Sequence, residues 1–349
     1  MEPKHVIGIT QGDTNGIGYE VMLRALADSQ FAEMFIPVVY GSGRALAYYR
    51  KVLGLPTTGL NVIQSASQAK PKRINLVECL PDDTIVEMGQ PTQQSGQAAY
   101  LALERFFQDY QKGEVEALVT LPINKSTMQS TDFAFPGHTE YLAQKTGGHQ
   151  PLMLMVSDRL RLGVATAHIP LVEVPKHLTP ELLHDKIDIL HQLLRQDFEI
   201  DKPRIALLGL NPHAGERGLL GAEELTLLEP VVEQANQQGK IVVGPYPADG
   251  FFGSGMWTSF DGVLAMYHDQ GLIPFKTIAF NHGVNYTGGL PLIRTSPDHG
   301  TAYDLVGKGV ASCESFREAV YLAMDIIRAR RRSLQLREDS LKPKRESTR

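Results

Sequence analysis

Residues 267–276 read "YHDQGLIPFK" and follow an apolar run of strand length, "DGVLAM". A histidine, an aspartate and a lysine gathered at the end of a buried strand are costly unless something compensates them. In open α/β sheets, ligands bind beyond the carboxyl ends of the strands. Histidines recur at that place in this chain. "LGVATA" (162–167) is followed by His168, "RIALLGL" (204–210) by "NPHAGE" with His213, and "GVLAM" (262–266) by His268. One strand-end histidine usually caps a loop or bonds a carbonyl. Three at equivalent places suit a divalent ion such as Zn²⁺, Co²⁺ or Fe²⁺, with one coordination position left for substrate. Asp249 in "GPYPADGFF" and Asp269 beside His268 are candidates for further ligands, for partners of the ligands, or for catalysis. His177, His184 and His191 stand seven apart, and that spacing reads as a solvated helix face.

A second group of residues suits anions. In "PGHTEYLA" (136–143) a Pro-Gly turn precedes Thr139, which sits where an N-cap belongs. A helix start offers free N–H groups to an anion, and His138 could donate to a phosphate or carboxylate. Thr139 reads equally well as a simple cap. Lys276 and Arg294 lie on either side of polar Asn285, and arginine suits a bidentate grip on carboxylate or phosphate. The loop "SPDHGTAYDLVGKG" could wrap a nucleotide, though an ordinary surface loop has the same composition. "QGDTNGIGYE" has its glycines spaced G-x-x-x-G-x-G, not G-x-G-x-x-G. It reads as a tight strand-to-helix turn with Asp13 or Asn15 near the helix start.

The elements that must carry these residues are short β-branched runs alternating with helical patterns. Strands are predicted at 5–10, 35–40, 116–121, 152–157, 162–167, 204–210, 240–244, 262–266 and 276–280. Helices are predicted at 18–28, 95–112 with Ser95 as N-cap, 140–146, 180–196, 222–238 and 314–332. Continuously apolar strands imply a sheet covered on both faces, and the alternation implies α/β architecture with parallel segments. A chain of 349 residues is one large domain or two. The composition, 42% hydrophobic and 21% charged, is that of a globular protein. No apolar stretch is long enough to span a bilayer and no signal-peptide pattern is seen, so no membrane partner is expected. Cys79 and Cys313 have no metal-type spacing and are not expected to pair, which points to the cytoplasm. Residues 328–349 hold nine basic and three acidic residues. They read as the cationic end of a helix fraying into a solvated tail, not as a nucleic-acid site.

Eight motifs then run in order: "GDTNGIGYE", "ALVTLPINKSTM", "FPGHTEYLA", "TAHIPL", "LNPHAGERGLLGAEE", "GPYPADGFF", "YHDQGLIPFK" and "GLPLIRTSPDHGTAYD". Together they resemble the 4-hydroxythreonine-4-phosphate dehydrogenase family over nearly the whole chain. The resemblance implies an isocitrate/isopropylmalate dehydrogenase-like fold of two α/β domains with mostly parallel sheets and the active-site cleft between them. The boundaries expected are 1–137 with 290–335, then 138–289, then a tail at 336–349. It implies a homodimer whose sites are built from both subunits. Its metal ligands match His168, His213 and His268, and its substrate contacts match His138, Thr139, Lys276, Asn285 and Arg294. His299, Gly300 and Asp304 are expected near the adenosine of NAD or NADP.

The implied reaction is oxidative decarboxylation of 4-phosphooxy-L-threonine to 3-amino-2-oxopropyl phosphate, CO2 and NAD(P)H. One divalent metal (zinc, cobalt or magnesium) assists it, and the product enters pyridoxal 5'-phosphate synthesis. The proton acceptor is open among Asp249, Asp269 and a metal-bound hydroxide. Thr14, Asn15, Tyr19 and Gly250 depart from the usual family pattern. Three rivals remain. One is a paralogue acting on another phosphorylated four-carbon hydroxy acid. Another is a metal-dependent hydrolase or lyase without nicotinamide. The last is a non-catalytic binding protein.

Overall fold

Burial on both faces turns the apolar runs into strands, and twelve of them join in a single sheet. The computed structural model describes residues 4–56, 59–81, 84–129, 135, 137–148 and 150–341. The strands are β1 (Val6–Thr10), β2 (Ile36–Gly41), β3 (Leu60–Ile63), β4 (Ile74–Glu78), β5 (Ala117–Thr120) and β6 (Leu152–Val156). They continue with β7 (Arg161–Thr166), β8 (Arg204–Leu208), β9 (Ile241–Tyr246), β10 (Gly262–Tyr267), β11 (Val284–Gly288) and β12 (Ile293–Pro297). Their order is β3-β4-β2-β1-β5-β12-β11-β6-β7-β10-β8-β9. The expected α/β class is found, and most neighbours run parallel. The centre is different, because β11 runs antiparallel to both β12 and β6, and β6 antiparallel to β7.

One face of the sheet carries a continuous core. It joins Ile7, Ile9 and Val119 to Leu154, Tyr286 and Ile293, under the helices Gly18–Leu26, Pro180–Gln196 and Glu314–Leu341. The opposite face carries two separate clusters. One packs Leu118 against Phe106 and Tyr141; the other packs Met155 and Leu162 against Phe275. Strands of segments 1–137 and 290–335 fill one side of the order, and strands of 138–289 fill the other. The two meet at the β12–β11 pair, where the split face leaves a seam.

Several local expectations are corrected. Residues 276–280 are not a strand; they close the helix His268–Ala279, so "YHDQGLIPFK" is a helix start and not a loop. Leu272, Phe275 and Ala279 are the buried positions, and that spacing is helical. The N-cap of Gln93–Gln111 is Thr92, not Ser95; Ser95 stands at N3 and completes a capping box with it. The helix predicted from residue 140 begins at His138, with Gly137 and not Thr139 at the N-cap position. The last helix extends to Leu341, beyond the predicted 332. Its arginines are engaged within the chain: Arg330 with Asp197, Arg331 with Glu116 and Arg332 with Glu199. Pro136 and residues 342–349 of the basic tail lie outside the described residues. The glycine turn after β1 is a strand-to-helix turn as read. Gly12 is left-handed there, with φ of 66°, and an added Cβ would sit 2.3 Å from the carbonyl oxygen of Pro122.

Candidate active site

Strand alternation explains which side chains reach the seam. On β5 and β12, Val119 and Ile293 join the continuous core, so Thr120, Arg294 and Ser296 point to the split face. On β11, Val284 and Tyr286 face the core, leaving Asn285 and Thr287 opposite. The start of the His138–Lys145 helix covers one flank, and Lys276 of the His268–Ala279 helix comes from the other. The resulting cavity, of about 230 Å³, is lined by His138, Thr139, His168, Lys276, Asn285, Arg294, His299 and Gly300, all expected from the sequence. It is also lined by Thr120, Lys125, Glu140 and Asp298.

Arg294 dominates the electrostatics. It is 4% exposed, and its partners are neutral: Thr120 Oγ1 at 3.0 Å from Nε and 2.6 Å from Nη2, Thr287 Oγ1 at 3.0 Å and His138 Nδ1 at 3.3 Å. Among the described residues, no carboxylate forms an ion pair with it. Burial lowers its pKa to about 10. The Glu140 carboxylate offsets this only in part. A buried guanidinium without an ion pair is costly in a resting protein, and a bound anion relieves it. His138 is fully buried, and desolvation, reinforced by Arg294 and Lys125, holds its pKa well below the usual histidine value. It is therefore neutral. Because Arg294 can only donate, His138 Nδ1 is the acceptor and its Nε2 carries the proton.

Lys125 adds a second cation. Its Nζ lies 3.7 Å from where a Cβ on Gly137 would be, beside the first turn of the His138–Lys145 helix. That helix has no side-chain N-cap bond, so its N-terminal N–H groups lack one source of partners. Among the described residues, four buried atoms of pocket residues find no hydrogen-bond partner: Glu140 Oε2, Asn285 Oδ1, Asp298 Oδ2 and His299 Nε2. Native interiors leave few such atoms without reason, and a bound polar molecule supplies one.

The histidines predicted to hold metal follow β7, β8 and β10, which are three adjacent strands. His168 and His268 face each other with ring centroids 6.0 Å apart. Two imidazoles on one tetrahedral ion, each about 2 Å from it, would have centroids about 5 Å apart. Each has a carboxylate at Nδ1: Asp269 at 2.7 Å from His268, and Glu140 at 3.8 Å from His168. Carboxylates placed so orient ligating imidazoles and leave Nε2 for the ion. The chemistry of this facing pair suits a divalent cation, with a third donor still to be supplied. His213 does not line the cavity. It lies in a left-handed stretch, with φ of 53°, held by Glu224, which accepts from the backbone of Leu210 and Asn211. Among the described residues, no three His, Cys, Asp or Glu side chains come close enough to hold an ion. Asp249 and Asp269 border a different, apolar depression with Phe252, Trp257 and Ile273. Asp304 does not line the cavity, whereas its neighbours His299 and Gly300 do.

A profile of the family described as "Pyridoxal phosphate biosynthetic protein PdxA" matches residues 33–323. The chain belongs to the PdxA family. One PdxA relative is the 4-hydroxythreonine-4-phosphate dehydrogenase of Bacteroides thetaiotaomicron, 48% identical over 342 residues, covering 98% of this chain and 94% of that protein. The solved structure of the Klebsiella pneumoniae 4-hydroxythreonine-4-phosphate dehydrogenase superposes with a TM-score of 0.82 at 35% identity, covering 93% of this chain and all of that one. A terephthalate 1,2-cis-dihydrodioldehydrogenase from Burkholderia xenovorans is also similar, with a TM-score of 0.62 at 25% identity, covering 93% and 98% of the two chains.

Thr120, Lys125, Glu140 and Asp298 were missed in the sequence reading. Lys125 follows β5 in "TLPINK", the same strand-end place that drew attention to the histidines. Asp298 follows β12, a strand that the apolar pattern did not reveal.

Proposed function

We propose that this PdxA protein is a metal-dependent NAD(P)-linked oxidoreductase. Its reaction is the oxidative decarboxylation of 4-phosphooxy-L-threonine to 3-amino-2-oxopropyl phosphate and CO2, a step toward pyridoxal 5'-phosphate. One observation carries this reading: a buried Arg294 that forms no ion pair among the described residues, in a pocket shared with Lys125 and an uncapped helix start. That arrangement asks for a phosphorylated or carboxylated ligand, and the relatives' names supply its identity.

The chain's own groups take distinct parts. Arg294 and Lys125 hold the substrate's anionic ends. Neutral His138 donates from Nε2, and Thr139 and Asn285 add polar contacts that fix orientation. His168, His213 and His268 would hold a zinc, cobalt or magnesium ion, which when bound polarises the substrate hydroxyl and stabilises negative charge. NAD or NADP accepts the hydride, and His299 and Gly300 border the side on which the nucleotide would approach.

We read the protein as a cytoplasmic homodimer whose sites draw on both subunits. The exposure of Ile273 on the His268 helix and of Phe280 just after it supports this, as does the lack, among the described residues, of three His, Cys, Asp or Glu side chains close enough to hold an ion. Segments 1–137 with 290–335 and 138–289 are read as two domains with the pocket at their seam, and 336–349 as a solvated tail. Among the described residues, no helix is long and apolar enough to cross a membrane.

A paralogous substrate is the second reading, and the likeness to a dihydrodiol dehydrogenase favours keeping it. A panel tests both: 4-phosphooxy-L-threonine, threonate and erythronate phosphates, and a dihydrodiol carboxylate, each with NAD⁺ or NADP⁺. The proposal expects the highest kcat/KM with 4-phosphooxy-L-threonine. A tenfold preference for another member would transfer the function to that substrate.

A further inference from the structure

Oxidising a carbinol removes a hydride from carbon and a proton from the hydroxyl, so a dry pocket needs a proton acceptor. Asp249 and Asp269 border the apolar depression and not this cavity. Asp298 lines the cavity itself, at the end of β12. Its Oδ1 lies 3.2 Å from Lys276 Nζ, and its Oδ2 is buried with no hydrogen-bond partner among the described residues. The backbone beneath it is fixed: Ser315 Oγ accepts from the Asp298 N–H at 2.9 Å and donates to the Gly283 carbonyl at 2.7 Å. The titratable groups that face it are Lys276 and His268 from the helix and His299 from its own loop. Burial pushes its carboxyl above the usual aspartate value, against the pull of Lys276.

We propose that Asp298 is the catalytic proton carrier of this site, with Lys276 as its positioning partner. The inference rests on the oxidoreductase reading above. In the first step the hydroxyl O–H bond breaks and its proton passes to the Asp298 carboxylate. The C–H electron pair leaves as hydride to the nicotinamide, and a ketone forms. In the second step the carbon–carboxylate bond breaks, CO2 departs, and its electron pair moves into the carbon next to the ketone. The Asp298 carboxylic acid returns the borrowed proton to that carbon. Atoms and charge then balance with no net proton released, and Asp298 ends as it began.

The test compares the wild-type holoenzyme with Asp298→Asn and Asp298→Glu, using 4-phosphooxy-L-threonine, nicotinamide and added divalent ion. Asp298→Asn is expected to lower kcat roughly 100- to 10,000-fold with KM and bound metal changed less than threefold. Asp298→Glu should restore part of the rate. Substrate-dependent quenching in Asp298→Asn reports a folded, binding-competent site separately from turnover. If wild type turns over and Asp298→Asn keeps kcat within threefold, the proposal is overturned. Full loss in Asp298→Asn with no rescue in Asp298→Glu and no substrate binding would also overturn it, because the role would then be structural. Absence of wild-type turnover would instead refute the underlying functional reading.

Discussion

A guanidinium whose partners are two threonine hydroxyls and an imidazole is held for a ligand and not for stability. Arg294→Met should therefore leave the melting temperature unchanged or raise it, because an unpaired buried charge is removed. The same change should raise KM about 100-fold, since charge-assisted contacts to an anion are lost. Calorimetry and steady-state kinetics on one preparation check both; a large fall in melting temperature would contradict the assignment. His138 gives a second prediction. Its pKa is depressed when folded, so the unfolded chain binds the extra proton more readily. Stability from this residue is thus present above the unfolded value, near 6.5, and lost as pH falls below it. His138→Gln should flatten the drop in melting temperature between about pH 7 and pH 5. His138, Thr139, Asn285 and Arg294 were all legible from residue type and place. Asp298 was not, because its meaning depends on a desolvated position and on Lys276, brought to it by the His268–Ala279 helix.

Among the elements, the helix Gln93–Gln111 is seated by Gly96, where an added Cβ would fall 2.0 Å from the backbone oxygen of Thr127. Gly96→Ala should cost about 1–3 kcal/mol through forced displacement, measured by chemical denaturation. No change would mean that the Lys125–Met128 turn yields freely, and Lys125 would then be poorly fixed over the pocket. The long apolar strands were readable because both their faces are buried. β11 and β12 escaped because one face of each is polar by purpose: Asn285, then Arg294 and Ser296, look into the cavity, and Thr287 accepts from Arg294. β3 and β4 were not foreseen either, whereas β5, which carries Thr120, was. "KTIAF" misled for a related reason. Its β-branched residues favour strand locally, but burial of Leu272, Phe275 and Ala279 on one face decides for helix.

For the molecule as a whole, one buried cluster ties the 138–289 side of the sheet to the last helix. Arg330 Nε donates to Asp197 Oδ1 at 2.8 Å, and Tyr286 OH donates to Asp197 Oδ2 at 2.6 Å. Asp197 ends the helix Pro180–Gln196, and Tyr286 lies on β11 back-to-back with the cavity residues. Arg330→Ala strands a buried carboxylate and should destabilise the fold by about 3–5 kcal/mol. The basic run was legible as a helix end, but not its role as a clamp, since the partners are 133 and 44 residues away. The antiparallel centre of the sheet was not foreseen. Pairing direction there depends on tertiary packing that a single strand does not encode.

The most direct measurement follows three products at once from purified protein given 4-phosphooxy-L-threonine, NAD(P)⁺ and a divalent ion. Reduced nicotinamide and CO2 should appear one for one with substrate consumed, with no free phosphate. Phosphate release without nicotinamide reduction, or reduction without CO2, would contradict the account.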